Sequence, residues 1–264
     1  MTRVLMPFPA DAALASTMNQ AMQARIAPVA WRHFPDGESL VTLEDSLAGA
    51  DVAILASLRH ADALALPLRF AARTAREFGA RSVGLIAPYL GYMRQDTRFH
   101  RGEAVSTPLF AQFLEEAFDW LVTVDPHLHR VERLQSLYRI PAAHVSATQA
   151  VARWIAETVP DAVLIGPDSE SEQWVADIAA RSGMPYQVLA KERHGDYDVR
   201  VSLPDPAAVA GRAPVLIDDI VSSGHTILET LAHLRRLSLP PPLLVAIHPV
   251  FAGDAYARLQ EAGL

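Results

Sequence analysis

Val215-Leu216-Ile217-Asp218-Asp219-Ile220-Val221-Ser222-Ser223-Gly224-His225-Thr226 is an apolar run that stops at two adjacent acids and passes into a short loop of small hydroxyl residues. Residues 213–217 have the composition of a strand buried on both faces of a parallel sheet, and residues 227–239 carry leucines at helical spacing, so the loop opens a helix. The unpartnered N–H groups of a first helical turn and the positive end of its dipole favour a phosphate there. Ser222, Ser223 and Thr226 add hydroxyl donors, and Gly224 lets the backbone approach closely. Asp218 and Asp219 repel a phosphate dianion, so they suit ribose hydroxyls or a hydrated cation. The segment reads as a strand running into a sugar-phosphate site; taken alone, it equally describes a strand end followed by a capped helix.

The rest of the composition frames that site. At 264 residues and 50% hydrophobic content the chain buries a large core and is long enough for two domains. Its net charge is −7, from 23 basic and 30 acidic residues. No block of Lys and Arg marks a nucleic-acid surface, so anions must be bound at a focused local site. The absence of cysteine excludes disulfides and thiolate metal sites. The N-terminus lacks the apolar core of a signal peptide, and no apolar stretch reaches membrane-spanning length without charge or proline. A cytoplasmic enzyme without a membrane partner is expected.

Short apolar runs alternate with amphipathic segments along the whole chain. Strands are expected at 3–6, 29–34, 51–57, 82–87, 120–124, 162–166, 185–190, 199–202, 214–217 and 243–248. Helices are expected at 10–26, 61–78, 104–117, 131–138, 148–158, 171–182, 226–238 and 254–261. This alternation predicts an α/β fold of mainly parallel sheets flanked by helices. A strand, an aspartate, a small polar turn and a helix recur at Asp125, Asp168 and Asp218, which two related units explain, residues 1–141 and 142–264.

Ligands of open α/β sheets gather at the carboxyl ends of the strands. There the chain places Phe34-Pro35-Asp36-Gly37-Glu38, then Pro88-Tyr89-Leu90-Gly91-Tyr92-Met93-Arg94-Gln95-Asp96-Thr97-Arg98, then Asp125-Pro126-His127, Gly166-Pro167-Asp168 and Lys191-Glu192-Arg193. Each has an ordinary explanation by itself: a turn, a surface ion pair, a structural histidine, a helix-end acid, a solvated triplet. In this order and at these separations, together with LIDDIVSSGHT, the set resembles the ribose-phosphate pyrophosphokinase family, also called phosphoribosyl pyrophosphate synthetases, from about Arg32 onward.

The resemblance implies two tandem phosphoribosyltransferase-like domains and transfer of the diphosphoryl group of ATP to the 1-hydroxyl of ribose 5-phosphate, with release of AMP. It implies that Ser222, Ser223, Gly224, His225 and Thr226 form the 5-phosphate loop and that Asp218 and Asp219 take the ribose hydroxyls. Arg94, Gln95 and Asp96 become ATP contacts, which suits a guanidinium that stacks on bases and pairs with phosphates and an amide that reads an adenine edge. Phe34, Asp36 and Glu38 would reach the ATP of a neighbouring subunit, making the protein a homo-oligomer, at least a dimer. His127 and Asp168 match the family's metal-linked pair, for Mg²⁺; since imidazole is an unusual Mg²⁺ ligand, His127 equally suits a phosphate or a bound water. Lys191 and Arg193 fall on the family's catalytic loop, with residues 194–198 as the flap that closes over ATP.

The chain also departs from the pattern. Ser169-Glu170-Ser171-Glu172 stands where adjacent glycines are common, Thr97 where a basic residue is common, His225 for a second glycine and Ser222 for an acid or threonine. The chain stops at Leu264, before a last strand and helix that many relatives carry, as in a divergent or C-terminally short member. A phosphoribosyltransferase, or a non-catalytic regulatory paralogue of the synthetase, is the alternative.

Overall fold

The computed structural model describes residues 2–43, 46–128, 130–189, 191–193, 199–201, 209–236 and 239–264, with backbone only for 191–193 and 199–201. The chain divides into two compact units, Met1–Val145 and Ser146–Leu264. Residues 142–145, placed with the second unit from sequence, belong to the first because they hydrogen-bond in register with residues 121–124 of its sheet.

The first unit contains strands β1 (Arg3–Pro7), β2 (Arg25–Ile26), β3 (Val29–His33), β4 (Ser39–Leu43), β5 (Asp51–Leu55), β6 (Ser82–Ala87), β7 (Trp120–Val124) and β8 (Ala142–Val145). Its helices are α1 (Ala12–Met22), α2 (Ala61–Glu77) and α3 (Ser106–Glu115). Among the described residues, six strands form a sheet in the order β2-β1-β5-β6-β7-β8, every pair of them parallel, while β3 and β4 form a separate antiparallel hairpin. Strand alternation divides the core between the sheet faces. Val4, Met6, Val52 and Ile54 pack in one cluster with Leu68, Ala71, Ala72 and Ala75, whose 3.6-residue spacing lays one stripe of α2 on the sheet. Leu5, Ala53 and Leu55 face the other way, against Ala15 of α1.

The second unit contains β9 (Ala162–Gly166), β10 (Tyr186–Val188), β11 (Lys191–Arg193), β12 (Val199–Val201), β13 (Ala213–Val221) and β14 (Leu243–Pro249), with helices α4 (Thr148–Thr158), α5 (Glu172–Ser182), α6 (His225–Arg236) and α7 (Ala255–Glu261). Its sheet runs β10-β9-β13-β14 and is parallel throughout. Val215 and Ile217 pack on α4 and α5, and Leu216 packs on α6 and α7. The order is that of β2-β1-β5-β6, and the antiparallel pair β11–β12 stands in the chain where β3–β4 stands in the first unit. The two units therefore repeat one plan, a mainly parallel sheet flanked by helices, as expected from the sequence.

Four local expectations are corrected. The first helix ends at Met22, not residue 26, because Gln23 turns left-handed and donates its N–H to Asn19, freeing Arg25–Ile26 to pair beside β1. Residues 131–138 form only a 3₁₀ turn at Leu134–Leu137, tied by the Gln135 amide to the carbonyls of Tyr138 and Ile140 and to the Ala142 N–H. The strand expected to stop at Ile217 continues to Val221, since Ile220 and Val221 stay in register with His248 and Pro249. Lys191–Arg193, expected on a loop, is a strand paired with Val199–Val201. The return strand β4 and the edge strand β8 are additions to the expected set.

Candidate active site

In the second unit the strand tips bring three acids together. Asp218 and Asp219 are held on β13 by its ladder, and the Asp219 and Ile220 N–H groups donate to the Asp218 and Asp219 carboxylates at 3.0 and 2.8 Å. Asp168 follows β9 and accepts the Glu170 N–H at 3.1 Å, while its carbonyl takes the Ser171 hydroxyl at 2.6 Å. Glu170 and Glu172, the two acids that depart from the family pattern, are exposed at the entry to α5.

Burial first, then the charges of Asp219 and Asp168, push the Asp218 carboxyl up to about 8. Between its ordinary 3.8 and about 8 the folded chain keeps a proton that the unfolded chain has lost. Stability of the ligand-free protein therefore falls as pH rises through that window and levels off above it. Thermal unfolding should show Tm declining from pH 5 to 8, and Asp218→Asn should flatten the decline and raise Tm at pH 8. An unaltered slope in the variant would remove crowding of these acids as its cause.

The loop after β13 joins the strand directly to α6. Ser222 is half-buried, Ser223 and His225 are exposed, and Gly224 is buried with φ +71°. The helix starts at His225, one residue before the expected Thr226; the Gly224 carbonyl accepts the Leu228 N–H at 2.9 Å and the Thr226 carbonyl accepts the Thr230 hydroxyl at 2.9 Å. His225 lies 3.3 Å from Glu229 along the helix. Lys191 and Arg193 stand on the β11 backbone, their side chains outside the described residues, as is the whole of the expected flap 194–198.

In the first unit, Phe34, Asp36 and Glu38 form the exposed tip of the β3–β4 hairpin. The Phe34 N–H donates to the Glu38 carbonyl at 2.8 Å, and the Asp36 carboxylate accepts the Glu38 N–H at 3.2 Å. The Phe34 ring is 40% exposed, with the Arg32 guanidinium 5.0 Å from its centroid. Between β6 and α3, Arg94 is exposed, but its neighbours hold the loop in place. Gln95 Oε1 accepts the Ser106 hydroxyl at 2.7 Å, and Asp96, with its side chain only 5% exposed, pairs with Arg130 at 2.9 Å. His127 follows β7 and is half-buried.

Sequence reasoning marks Asp125, two residues before His127, as a recurring strand-end acid but gives it no place in the site. It is buried and carries φ +29° although a proline follows it, and a non-glycine residue held there marks a strained strand tip. Among the described residues no group of three or more His, Cys, Asp or Glu side chains is arranged to hold a metal ion. No helix of the described residues is long and apolar enough to cross a membrane.

Two repeats of one α/β plan, with acids and a hydroxyl loop at the strand tips of the second, define a pair of phosphoribosyltransferase-like units. Residues 4–117 match the N-terminal domain of ribose phosphate pyrophosphokinase and residues 140–252 match the phosphoribosyl transferase domain. The ribose-phosphate pyrophosphokinase of Methanopyrus kandleri is 32% identical over 252 residues, which cover 95% of this chain and 85% of that one. That of Halobacterium salinarum is 33% identical over 255 residues, covering 95% and 87%. The crystal structure of phosphoribosylpyrophosphate synthetase from Mycobacterium smegmatis superposes with a TM-score of 0.85 at 25% identity, covering 100% of this chain and 86% of that one. The chain belongs to the ribose-phosphate pyrophosphokinase family. The match over residues 4–117 is to a domain of the pyrophosphokinase itself.

Proposed function

We propose that the chain is a Mg²⁺-dependent ribose-phosphate diphosphokinase whose second unit holds ribose 5-phosphate and whose first unit contributes to the ATP site. The observation that carries this is the run from Asp218 to Thr226, where a strand delivers two acids directly into a glycine and hydroxyl loop that opens a helix. In the reaction the ribose 1-hydroxyl oxygen attacks the β-phosphorus of ATP and loses its proton. The bond between that phosphorus and the oxygen bridging to the α-phosphate breaks, AMP leaves, and phosphoribosyl diphosphate is formed.

Ser222, Ser223, Gly224, His225 and Thr226 would bind the 5-phosphate, with Asp218 and Asp219 accepting hydrogen bonds from the ribose hydroxyls. Lys191 and Arg193 would stabilise the charge that spreads over the transferred group, and Arg94, Gln95 and Asp96 would form or support the ATP site. The acids fit a hard cation: burial first, then the charges of Asp219 and Asp168, raises the Asp218 carboxyl, and a divalent ion offsets that repulsion while needing few protein ligands beside phosphate and water. Asp168 would hold Mg²⁺, with His127 on the ion, a phosphate or a bound water. When bound, the ion supplies neutralisation of phosphate charge and orientation of the diphosphoryl group.

An exposed aromatic at the tip of the β3–β4 hairpin supports a role for Phe34, Asp36 and Glu38 on a neighbouring subunit's ATP, and hence a homo-oligomer. Light scattering should give at least a dimer mass. Incubation with ATP, Mg²⁺ and ribose 5-phosphate should give AMP and phosphoribosyl diphosphate in equal amounts. Ribose 5-phosphate binding without turnover would instead favour a regulatory paralogue.

A further inference from the structure

The loop that receives the phosphate is held from behind by a segment that no sequence motif marks. The Ser222 carbonyl accepts the Ala252 N–H at 3.1 Å, and the Ser223 carbonyl accepts Nη2 of Arg258, on α7, at 2.8 Å. Leu259, next on that helix, presses on Gly224, where an added Cβ would lie 3.2 Å from its side-chain carbons. A trans peptide sets its C=O and N–H on opposite sides. Drawing the Ser222 carbonyl toward Ala252 and the Ser223 carbonyl toward Arg258 therefore turns the N–H groups of Ser223 and Gly224 away from these partners. Among the described residues neither of these N–H groups has a backbone acceptor. They are the donors that a phosphate at the head of α6 would use.

We propose that Arg258 is a positioning residue for the phosphate end of ribose 5-phosphate, fixing the Ser223–Gly224 peptide so that its N–H faces the ligand; this rests on the reading of residues 222–226 as the phosphate loop. Without Arg258 the Ser223 carbonyl loses its charged partner and the peptide is free to rotate, turning a donor away and an acceptor toward the anion. The guanidinium is itself aimed by Asp254, whose carboxylate lies 3.5 Å from Nε. A planar fork spans both acceptors, whereas a lysine ammonium is a single point charge on a flexible stem. Arg258 adds its positive charge beside a loop that otherwise follows two acids.

The test compares the full chain with Arg258→Ala, Arg258→Lys and Arg235→Ala. Arg235 serves as the control because it makes the same kind of tie to the α7 end of the chain, donating to the Ala262 carbonyl at 2.6 Å, without touching the loop. Arg258→Ala should raise KM for ribose 5-phosphate about tenfold, the scale of one hydrogen bond to a charged group, and leave KM for ATP within about twofold. The Tm rise on adding ribose 5-phosphate should shrink in parallel, Arg258→Lys should fall between, and Arg235→Ala should match wild type in both readouts. If Arg258→Ala does not fold, Arg258→Lys against Arg235→Ala makes the same comparison. Equal rises in both KM values, or identical behaviour of the Arg258 and Arg235 variants, would overturn the positioning role. A wild-type protein that ribose 5-phosphate does not stabilise would overturn the phosphate-loop reading and Arg258 with it, whereas full stabilisation of both wild type and Arg258→Ala removes Arg258 alone.

Discussion

Lys191→Ala lowers kcat by about 10²–10³ while KM for ribose 5-phosphate stays within about twofold of wild type, the loss expected when one charge-stabilising donor leaves a transition state. Diphosphoryl transfer asks little covalent chemistry of the protein. It asks that the attacking and leaving oxygens be aligned and that the charge spreading over the transferred group be met by fixed cations. The proposal gives Lys191 that task because Lys191-Glu192-Arg193 resembles the family's catalytic loop, and the structure sets its backbone opposite Val201 at the head of an antiparallel pair. The substrate's phosphate and ribose are assigned to other residues, 218–226, so ground-state binding should survive the substitution. Steady-state kinetics with each substrate varied at saturating concentration of the other reads both constants. Equal losses in kcat and in ribose 5-phosphate affinity would move Lys191 from the transition state to substrate binding.

Gly84→Ala destabilises the first unit by about 3 kcal/mol, the upper end of the usual cost of overpacking a core. Gly84 on β6 lies directly across from Trp120 on β7, and a Cβ there would stand 1.9 Å from Cε2 of the indole. The ring cannot slide away cheaply, because Nε1 donates to the Ser82 hydroxyl at 3.3 Å and the indole packs against the buried cluster that contains Leu5, Ala53 and Leu55. The added methyl must therefore displace a tryptophan or push β6 and β7 apart. Urea unfolding should show a lower midpoint with an unchanged slope. A midpoint equal to wild type would mean that the indole has room that the packing denies it.

Much of this architecture is legible in the sequence because its signals are local. Buried parallel strands appear as short apolar runs, and α2 shows its buried stripe at Leu68, Ala71, Ala72 and Ala75 in the spacing of its letters. Elements that depend on distant partners are not legible in this way. β8, exposed along most of its length and carrying a histidine, is a strand only because β7 offers it an edge. The end of β13 is misplaced by sequence because two acids look like a boundary, whereas the ladder to His248 and Pro249 carries the strand past them. The site follows the same division. Motif order locates the strand-tip acids and the hydroxyl loop, and the family match covers the segments that contain them. Three-dimensional contact is needed to show that Asp96 is committed to Arg130, that Asp125 is strained and that Arg258 reaches Ser223 from 35 residues along the chain.

The claim that the rest depends on is diphosphoryl transfer to ribose 5-phosphate. The measurement that reaches it most directly follows the label from ATP carrying ³²P at the β-position, with Mg²⁺ and ribose 5-phosphate present. The account predicts that all transferred label appears in phosphoribosyl diphosphate, that the AMP released is unlabelled, and that neither forms when ribose replaces ribose 5-phosphate. Label recovered in ADP or in inorganic diphosphate, at a rate indifferent to ribose 5-phosphate, would contradict it.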